Sequence, residues 1–192
     1  MTEKRYSHFA PPMQEKDISI AAEKANLLTL PFTLPALGMV LLYGLVHGFA
    51  RLFEAGQSLA KPWIFLPIFL IGIVVHEIIH GLTWALFSPR GWKSIRFGFI
   101  LKALMPYASC TDRLKINAYR LGGIMPGLSL GVVPFLAGLA ADWPTAALIG
   151  AFFTLVACGD FWIVYALRRE PRVALVLDHP KRVGCIVYYP DP

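Results

Sequence analysis

Two histidines and a glutamate lie close together in the segment Val74-Val75-His76-Glu77-Ile78-Ile79-His80-Gly81. Residues four apart on a helix project from one face, with about 5–6 Å between their Cβ atoms, so His76 and His80 can supply two imidazole ligands to one zinc ion. Glu77 lies beside them. In the HExxH motif of metallopeptidases, the glutamate is the general base for a water molecule that the metal activates. The spacing therefore predicts a zinc site with Glu77 as its catalytic base.

The surroundings of this motif are apolar. It lies inside an uninterrupted hydrophobic run at 63–87, and the 192-residue chain is 56% hydrophobic and 16% charged. Such a chain has too few charges for an ordinary soluble domain, which indicates an integral membrane protein. The three cysteines are far apart with no CxxC pair, which argues against a disulfide framework or a cysteine zinc site.

Four segments are long and apolar enough to cross a membrane: 27–50, 63–87, 121–141 and 145–167. The polar regions before, between and after them on one side hold 16 of the 18 Lys and Arg residues. The positive-inside rule therefore predicts that both termini are cytoplasmic. The same asymmetry, together with anionic lipid headgroups, explains the net charge of +6 better than nucleic-acid binding does.

The predicted fold is an all-α polytopic membrane protein with about four transmembrane helices, a membrane-surface loop and a small C-terminal β-hairpin. Three regions follow from this layout. They are a cytoplasmic N-terminal segment at 1–26, a four-span membrane domain at 27–167 and a cytoplasmic tail at 168–192.

Two stretches outside the predicted spans have strand-like patterns. Residues 94–100 alternate partly like a strand and 101–105 remain apolar, which indicates a re-entrant or membrane-surface strand in the loop at 88–120. In the tail, 172–177 and 183–189 flank a turn-prone segment, which predicts the hairpin.

Proline and glycine indicate where the helices bend or approach one another. We expect kinks or local opening at five prolines within the spans, namely Pro31, Pro35, Pro67, Pro126 and Pro134. Gly81 follows His80, and Gly159 precedes an aspartate, so both are expected to let neighbouring helices approach closely.

A third zinc ligand is needed because catalytic zinc takes three protein ligands and leaves the fourth position for water. Asp160 is the one acidic residue besides Glu77 in a predicted span. At about 1.5 Å per residue, His76 and Asp160 both lie roughly 20 Å from the same side of the membrane. An uncompensated Asp in a span costs about 2.5–3.5 kcal/mol, which metal coordination would offset. The predicted ligands are His76, His80 and Asp160.

The HEIIHG motif in the second span and Gly159-Asp160 in the fourth carry a family resemblance. By these motifs the chain resembles a bacterial family of membrane zincin peptidases, a domain family with HExxH that is distantly similar to the site-2 intramembrane metalloproteases. Further matches are Pro106-Tyr107-Ala108-Ser109-Cys110, Tyr119-Arg120-Leu121, Met125-Pro126-Gly127, Asp178-His179-Pro180 and Gly184-Cys185.

The resemblance implies that His76, His80 and Asp160 bind Zn²⁺ and that Glu77 is the catalytic base. The chain departs from site-2 proteases proper in two respects. Their late motif places glycine after the aspartate, whereas here Gly159 precedes it, and no asparagine lies in a predicted span.

The expected function is that of a membrane-embedded zinc metalloendopeptidase of the bacterial cytoplasmic membrane. Its expected partners are the lipid bilayer and a membrane protein or peptide substrate, and no nucleic acid. A strand edge near 95–101 could hold the substrate extended by β-addition. Beyond zinc, the loop residues Tyr107, Arg113 and Arg120 are the side chains that could approach to stabilise an oxyanion.

The sequence is also compatible with other functions. A bis-histidine haem would need a ligand from an opposing helix, for which His47 is the available candidate. A non-catalytic membrane scaffold or binding protein with a structural or degenerate metal site would show closed four-ligand coordination. A transporter would be expected to have more spans or paired broken helices.

Overall fold

The protein is described by a computed structural model that covers residues 14–20, 27–100, 105–180 and 182–190. Most of the predicted N-terminal segment and the apolar residues 101–104 of the central loop lie outside the described residues.

The described chain is mostly helical, and its longest helices are apolar. The first apolar helix runs over Leu27–His47 and includes α1 (Leu34–His47). The second is α3 (Pro62–Phe87). The third, Ile116–Ala140, consists of α4 (Ile116–Pro126), a π-helical segment (Gly127–Val132) and α5 (Val133–Ala140).

A fourth candidate span is a bent pair, α6 (Pro144–Val156) followed by α7 (Cys158–Ala166), with 46° between its two parts. By length and composition, three helices could therefore cross a membrane, or four if the bent pair is one span. The positions match the four predicted segments to within a few residues.

Three of the five prolines do not interrupt a helix, contrary to the expectation. Pro35 and Pro134 lie in the first turns of α1 and α5, where a missing N–H costs nothing. Pro67 lies inside α3, which continues past it without a break. The sharpest bend is at Ala157, between α6 and α7, in a stretch that contains no proline.

A short helix that the sequence analysis did not separate from the first span is α2 (Phe49–Leu59). Gly48 has φ +96°, a left-handed conformation that favours glycine, and it ends α1 three residues before the predicted boundary. Leu52 and Ala55 on one face of α2 are buried, whereas Phe53 on the other is exposed. The polar residues of α2 give it an amphipathic pattern typical of a helix lying on a surface.

Two small antiparallel sheets show that the all-α prediction is too narrow. One pairs β2 (Ile95–Ile100) with β3 (Met105–Cys110) in the central loop. The other has four strands in the order β1-β6-β5-β4. Its strands are β1 (Gln14–Asp17), β4 (Leu114–Lys115), β5 (Leu175–Asp178) and β6 (Cys185–Tyr189). The tail hairpin is present as β5 and β6, at the centre of this larger sheet.

The main hydrophobic core joins the four-stranded sheet to the ends of α3 and α4. Trp84 and Tyr119 from the two helices pack with Val176 and Val187 from the sheet, and all four are buried. The tail sheet is therefore anchored close to the second half of α3, which carries the HExxH motif.

Candidate metal centre

The two motif histidines lie on the buried face of α3, one turn apart. His76 and His80 are 5% and 4% exposed, and their Nε2 atoms are 3.2 Å apart. Because side chains at i and i+4 of a helix project from one face, the helix alone brings these two nitrogens together.

Asp160 approaches the histidines from the first turn of α7, directly after the bend at Ala157. Its Oδ2 lies 3.1 Å from Nε2 of His76, and its Oδ1 lies 3.4 Å from Nε2 of His80. The structure therefore brings together the three residues predicted as ligands, and one donor atom from each falls within 4.8 Å of the others.

The hydrogen bonding of His80 indicates which of its nitrogens is free to bind a metal. Its Nδ1 lies 2.8 Å from the carbonyl oxygen of Gly122, which can only accept a hydrogen bond, so Nδ1 carries the proton. In neutral imidazole, Nε2 then presents a lone pair towards His76 and Asp160. Metal-binding histidines are commonly oriented in this way through their second nitrogen. Nδ1 of His76, by contrast, is buried with no hydrogen-bond partner among the described residues.

The distances between the donors fit a tetrahedral ion. Two ligands about 2.0–2.1 Å from zinc at a tetrahedral angle are about 3.3 Å apart. The two Nε2 atoms are 3.2 Å apart, and each lies 3.1–3.4 Å from one of the two Asp160 carboxylate oxygens. A donor set of two imidazoles and one carboxylate is also one that catalytic zinc sites use.

The Gly122 carbonyl is available to His80 because of a proline one helical turn later. A helix would normally use this carbonyl to accept the N–H of residue 126, but Pro126 has no N–H. The next residue, Gly127, donates its N–H to the carbonyl of Ile124 instead. The Met125-Pro126-Gly127 motif, one of the weaker family matches, thus leaves a carbonyl oxygen free to accept from His80.

Comparison with known proteins agrees with this geometry. The family described as "Putative zincin peptidase" matches residues 69–175, more than half of the chain. The chain belongs to this family. No curated protein and no solved structure matches it. Membership implies a zinc cofactor for this chain.

The cluster is supported by an aromatic stack. The His80 ring stacks on Trp84 at 5.0 Å, and Trp84 stacks on Tyr119 at 5.4 Å. Trp84 Nε1 donates a hydrogen bond to the Tyr119 carbonyl at 3.2 Å. The stack leaves no room opposite Gly122, where an added Cβ would lie 2.0 Å from Trp84 Nε1. This support could not be predicted from the sequence, because it depends on contacts between distant segments.

Glu77 is half-buried beside the cluster. It lies within electrostatic range of His76, His80 and Asp160, and also of the backbone N–H of Ala108 in β3. The strand pair thus lies beside the acidic residue of the HExxH motif.

The two glycines beside the predicted ligands behave differently. An added Cβ at Gly81 would lie 2.9 Å from the Phe97 ring and 3.0 Å from the Ile95 side chain, so Gly81 does permit a close approach, but by β2 rather than by a helix. At Gly159 an added Cβ would meet nothing within 4 Å, and the expectation of close packing there was wrong.

The loop residues considered as oxyanion donors are engaged elsewhere. Tyr107 packs over Gly98, the Arg113 guanidinium lies 4.1 Å from the Tyr188 ring, and Arg120 donates to the carbonyls of Leu167 and Glu170. His47, the candidate second haem ligand, contacts the Leu139 carbonyl and Asp142. It is not part of the cluster around His76.

Proposed function

We propose that this zincin peptidase is a membrane-embedded zinc metalloendopeptidase that hydrolyses peptide bonds of membrane or membrane-adjacent proteins. In this proposal His76, His80 and Asp160 bind the metal and Glu77 is the general base. The main supporting observation is that His76, His80 and Asp160 each bring one donor atom within 4.8 Å of the others, with the lone pair of His80 Nε2 directed among them.

Zinc held by these residues supplies the Lewis acidity that activates water and polarises the scissile carbonyl. Glu77, one residue after His76 on α3, then takes the proton of the attacking water and passes it to the leaving amine. In this proposal the nearby backbone N–H of Ala108 orients the Glu77 carboxylate before substrate arrives.

The apolar surface of the helices supports the membrane location. Large side chains on α3 such as Trp63 and Leu86 are 72% and 82% exposed. A surface of this kind along a 26-residue helix is unfavourable in water and favourable in lipid. With the basic residues concentrated in the connecting regions on one side, the proposed topology has both termini in the cytoplasm.

A free strand edge supports a peptide as the substrate. Among the described residues β2 has a neighbouring strand on one side only, so the outward N–H and C=O groups of Phe97 and Phe99 can pair with an extended chain. β2 also contacts α3 at Gly81, one residue after His80. A substrate added to this edge would be extended rather than helical, as hydrolysis of its backbone requires.

The first test is zinc content and hydrolysis by detergent-purified protein. We expect about one zinc per chain in the wild type and in Glu77→Gln, and much less in His80→Ala and Asp160→Ala. Hydrolysis of labelled casein or of a single-span model peptide is expected from the wild type and should fall at least about 100-fold in Glu77→Gln. His47→Ala is the matched control, because this histidine lies outside the cluster.

Wild-type protein without zinc would contradict the proposal. Zinc with no hydrolysis of either probe would favour the structural metal site instead. Hydrolysis that persists in Glu77→Gln would show that Glu77 is not the base.

A further inference from the structure

Asp178 ends strand β5, three residues beyond the segment that the family matches, and connects three parts of the molecule. Its Oδ2 accepts the backbone N–H of Cys110 in β3 at 2.7 Å. Its Oδ1 accepts the hydroxyl of Tyr119 in α4 at 2.5 Å. One carboxylate thus joins the tail sheet both to the strand pair and to the third apolar helix.

The first of these bonds acts on the edge of β3 that faces Glu77. Thr111 N–H donates to the Ser94 carbonyl, and antiparallel pairs alternate between bonded and non-bonded, so Ala108 and Cys110 direct their N–H groups away from β2. The Ala108 N–H lies within electrostatic range of Glu77, and the Cys110 N–H donates to Asp178. The two amides are about 6.6–6.8 Å apart on one edge of the strand. Fixing one restrains the other.

The second bond acts on the histidine side of the cluster. The Tyr119 hydroxyl is held by Asp178, its ring stacks on Trp84, and its carbonyl accepts the Trp84 Nε1–H. Trp84 in turn stacks on His80. Tyr119 is also one turn before Gly122–Gly123 in α4, and Gly122 holds Nδ1 of His80.

We propose that Asp178 is a positioning residue of the metallopeptidase site, which holds β3 against Glu77 and the Trp84 stack against His80 through its two carboxylate oxygens. The catalytic importance of this inference rests on the proposed function, but the two hydrogen bonds of Asp178, here called the Asp178 clamp, belong to the fold itself. It gives the tail sheet a role in the site.

Because the two carboxylate oxygens of Asp178 have different partners, the two hydrogen bonds can be removed together or one at a time. Asp178→Ala removes both bonds. In Asp178→Asn, the amide oxygen can accept from Cys110 while the amide N–H donates to the Tyr119 oxygen, so both connections survive without the charge. Tyr119→Phe removes the second bond alone. The control is Asp17→Ala in β1 of the same sheet, where an exposed carboxylate accepts the Ser19 N–H.

The experiment measures local hydrogen exchange and cobalt spectra on the full chain in detergent. Exchange of peptides covering 105–110 reports on β3, and the visible bands of cobalt bound in place of zinc report on coordination geometry. For Asp178→Ala we expect at least tenfold faster exchange in β3 and altered cobalt bands, with exchange in α6 unchanged. Asp178→Asn and Asp17→Ala should stay within about threefold of the wild type.

Tyr119→Phe keeps the proposal testable if Asp178→Ala does not fold, with altered cobalt bands and unchanged β3 exchange as the expected result. Unchanged exchange and spectra in Asp178→Ala would overturn the proposal, as would acceleration spread equally over α6. A wild type that binds cobalt but hydrolyses no probe would count against the proposed function. The β3 hydrogen exchange and the cobalt spectra would still test the Asp178 clamp.

Discussion

Gly122→Ala tests the support of His80 by a single added methyl group. The new Cβ would lie 2.0 Å from Trp84 Nε1 and 2.3 Å from its Cδ1, whereas ordinary contact begins at 3.4 Å. The Trp84 ring must therefore move by more than 1 Å, although it is 5% exposed and stacked on both sides. Overpacking of this kind costs about 1–3 kcal/mol.

The substitution should also weaken metal binding, because Gly122 supplies the carbonyl that orients His80. Loss of an outer partner of a metal-binding histidine lowers affinity about 10- to 100-fold. We expect a fall of roughly 2–12 °C in the melting temperature of the detergent-purified protein. Zinc affinity, measured by competition with a chromophoric chelator, should fall at least tenfold.

Gly159→Ala is the matched control, since it introduces the same methyl group directly beside Asp160. Nothing lies within 4 Å of its added Cβ, so it should leave zinc affinity unchanged and raise stability by up to about 1 kcal/mol through helix propensity. Wild-type zinc affinity and melting temperature in Gly122→Ala would refute the reasoning. Equal losses in both variants would show that the effect is not specific to the stack.

Two further predictions concern carboxylates outside the cluster. Burial raises the pKa of Asp178 from 3.8 to about 6, and a buried acid with a raised pKa disfavours folding as the pH rises through this window. A pKa shift of about two units corresponds to about 3 kcal/mol. Because Asp178 is only half-buried, we expect a smaller effect. Between pH 4 and 7 the free energy of unfolding of the wild type should fall by about 2 kcal/mol relative to Asp178→Asn. Denaturant titrations at the two pH values measure this difference. Asp142→Ala removes the carboxylate that contacts Tyr43, Arg51 and His47. It should lower the free energy of unfolding by about 1–3 kcal/mol in the same titration and leave zinc content at the wild-type level. Loss of zinc in this variant would contradict the prediction.

The three clustered residues could be predicted because their signals are local. The spacing of His76 and His80 can be read directly from the sequence. Asp160 was identified because acidic residues are rare in apolar spans and because its predicted depth matches that of His76. Their roles as ligands, and that of Glu77 as base, remain predictions for the experiments above.

The support of the site could not be predicted, because it depends on contacts between segments far apart in the chain. His80 and Gly122 are separated by 42 residues, and Asp178 and Cys110 by 68. Pro126 was visible in the sequence, and a kink or local opening was expected there. Its role in freeing a carbonyl appears only when the partner donor is known.

The fold, like the site, could be predicted from the sequence only in part. Hydropathy located the apolar helices, whereas the bend at Ala157 and the start of α2 at Phe49 have no proline to mark them. The pairing of β1 with β6 joins residues some 170 positions apart, which strand propensity alone does not indicate.

The separation of His76 and Asp160 by 84 residues has a consequence for biosynthesis. At about 5–20 residues per second, a ribosome adds Asp160 roughly 4–17 s after His76. Throughout that interval α3 carries two imidazoles and Glu77 in an apolar helix whose third donor does not yet exist. The second apolar helix is therefore complete well before the cluster can form, and the proposed insertion into a membrane would have to accept α3 without its partner.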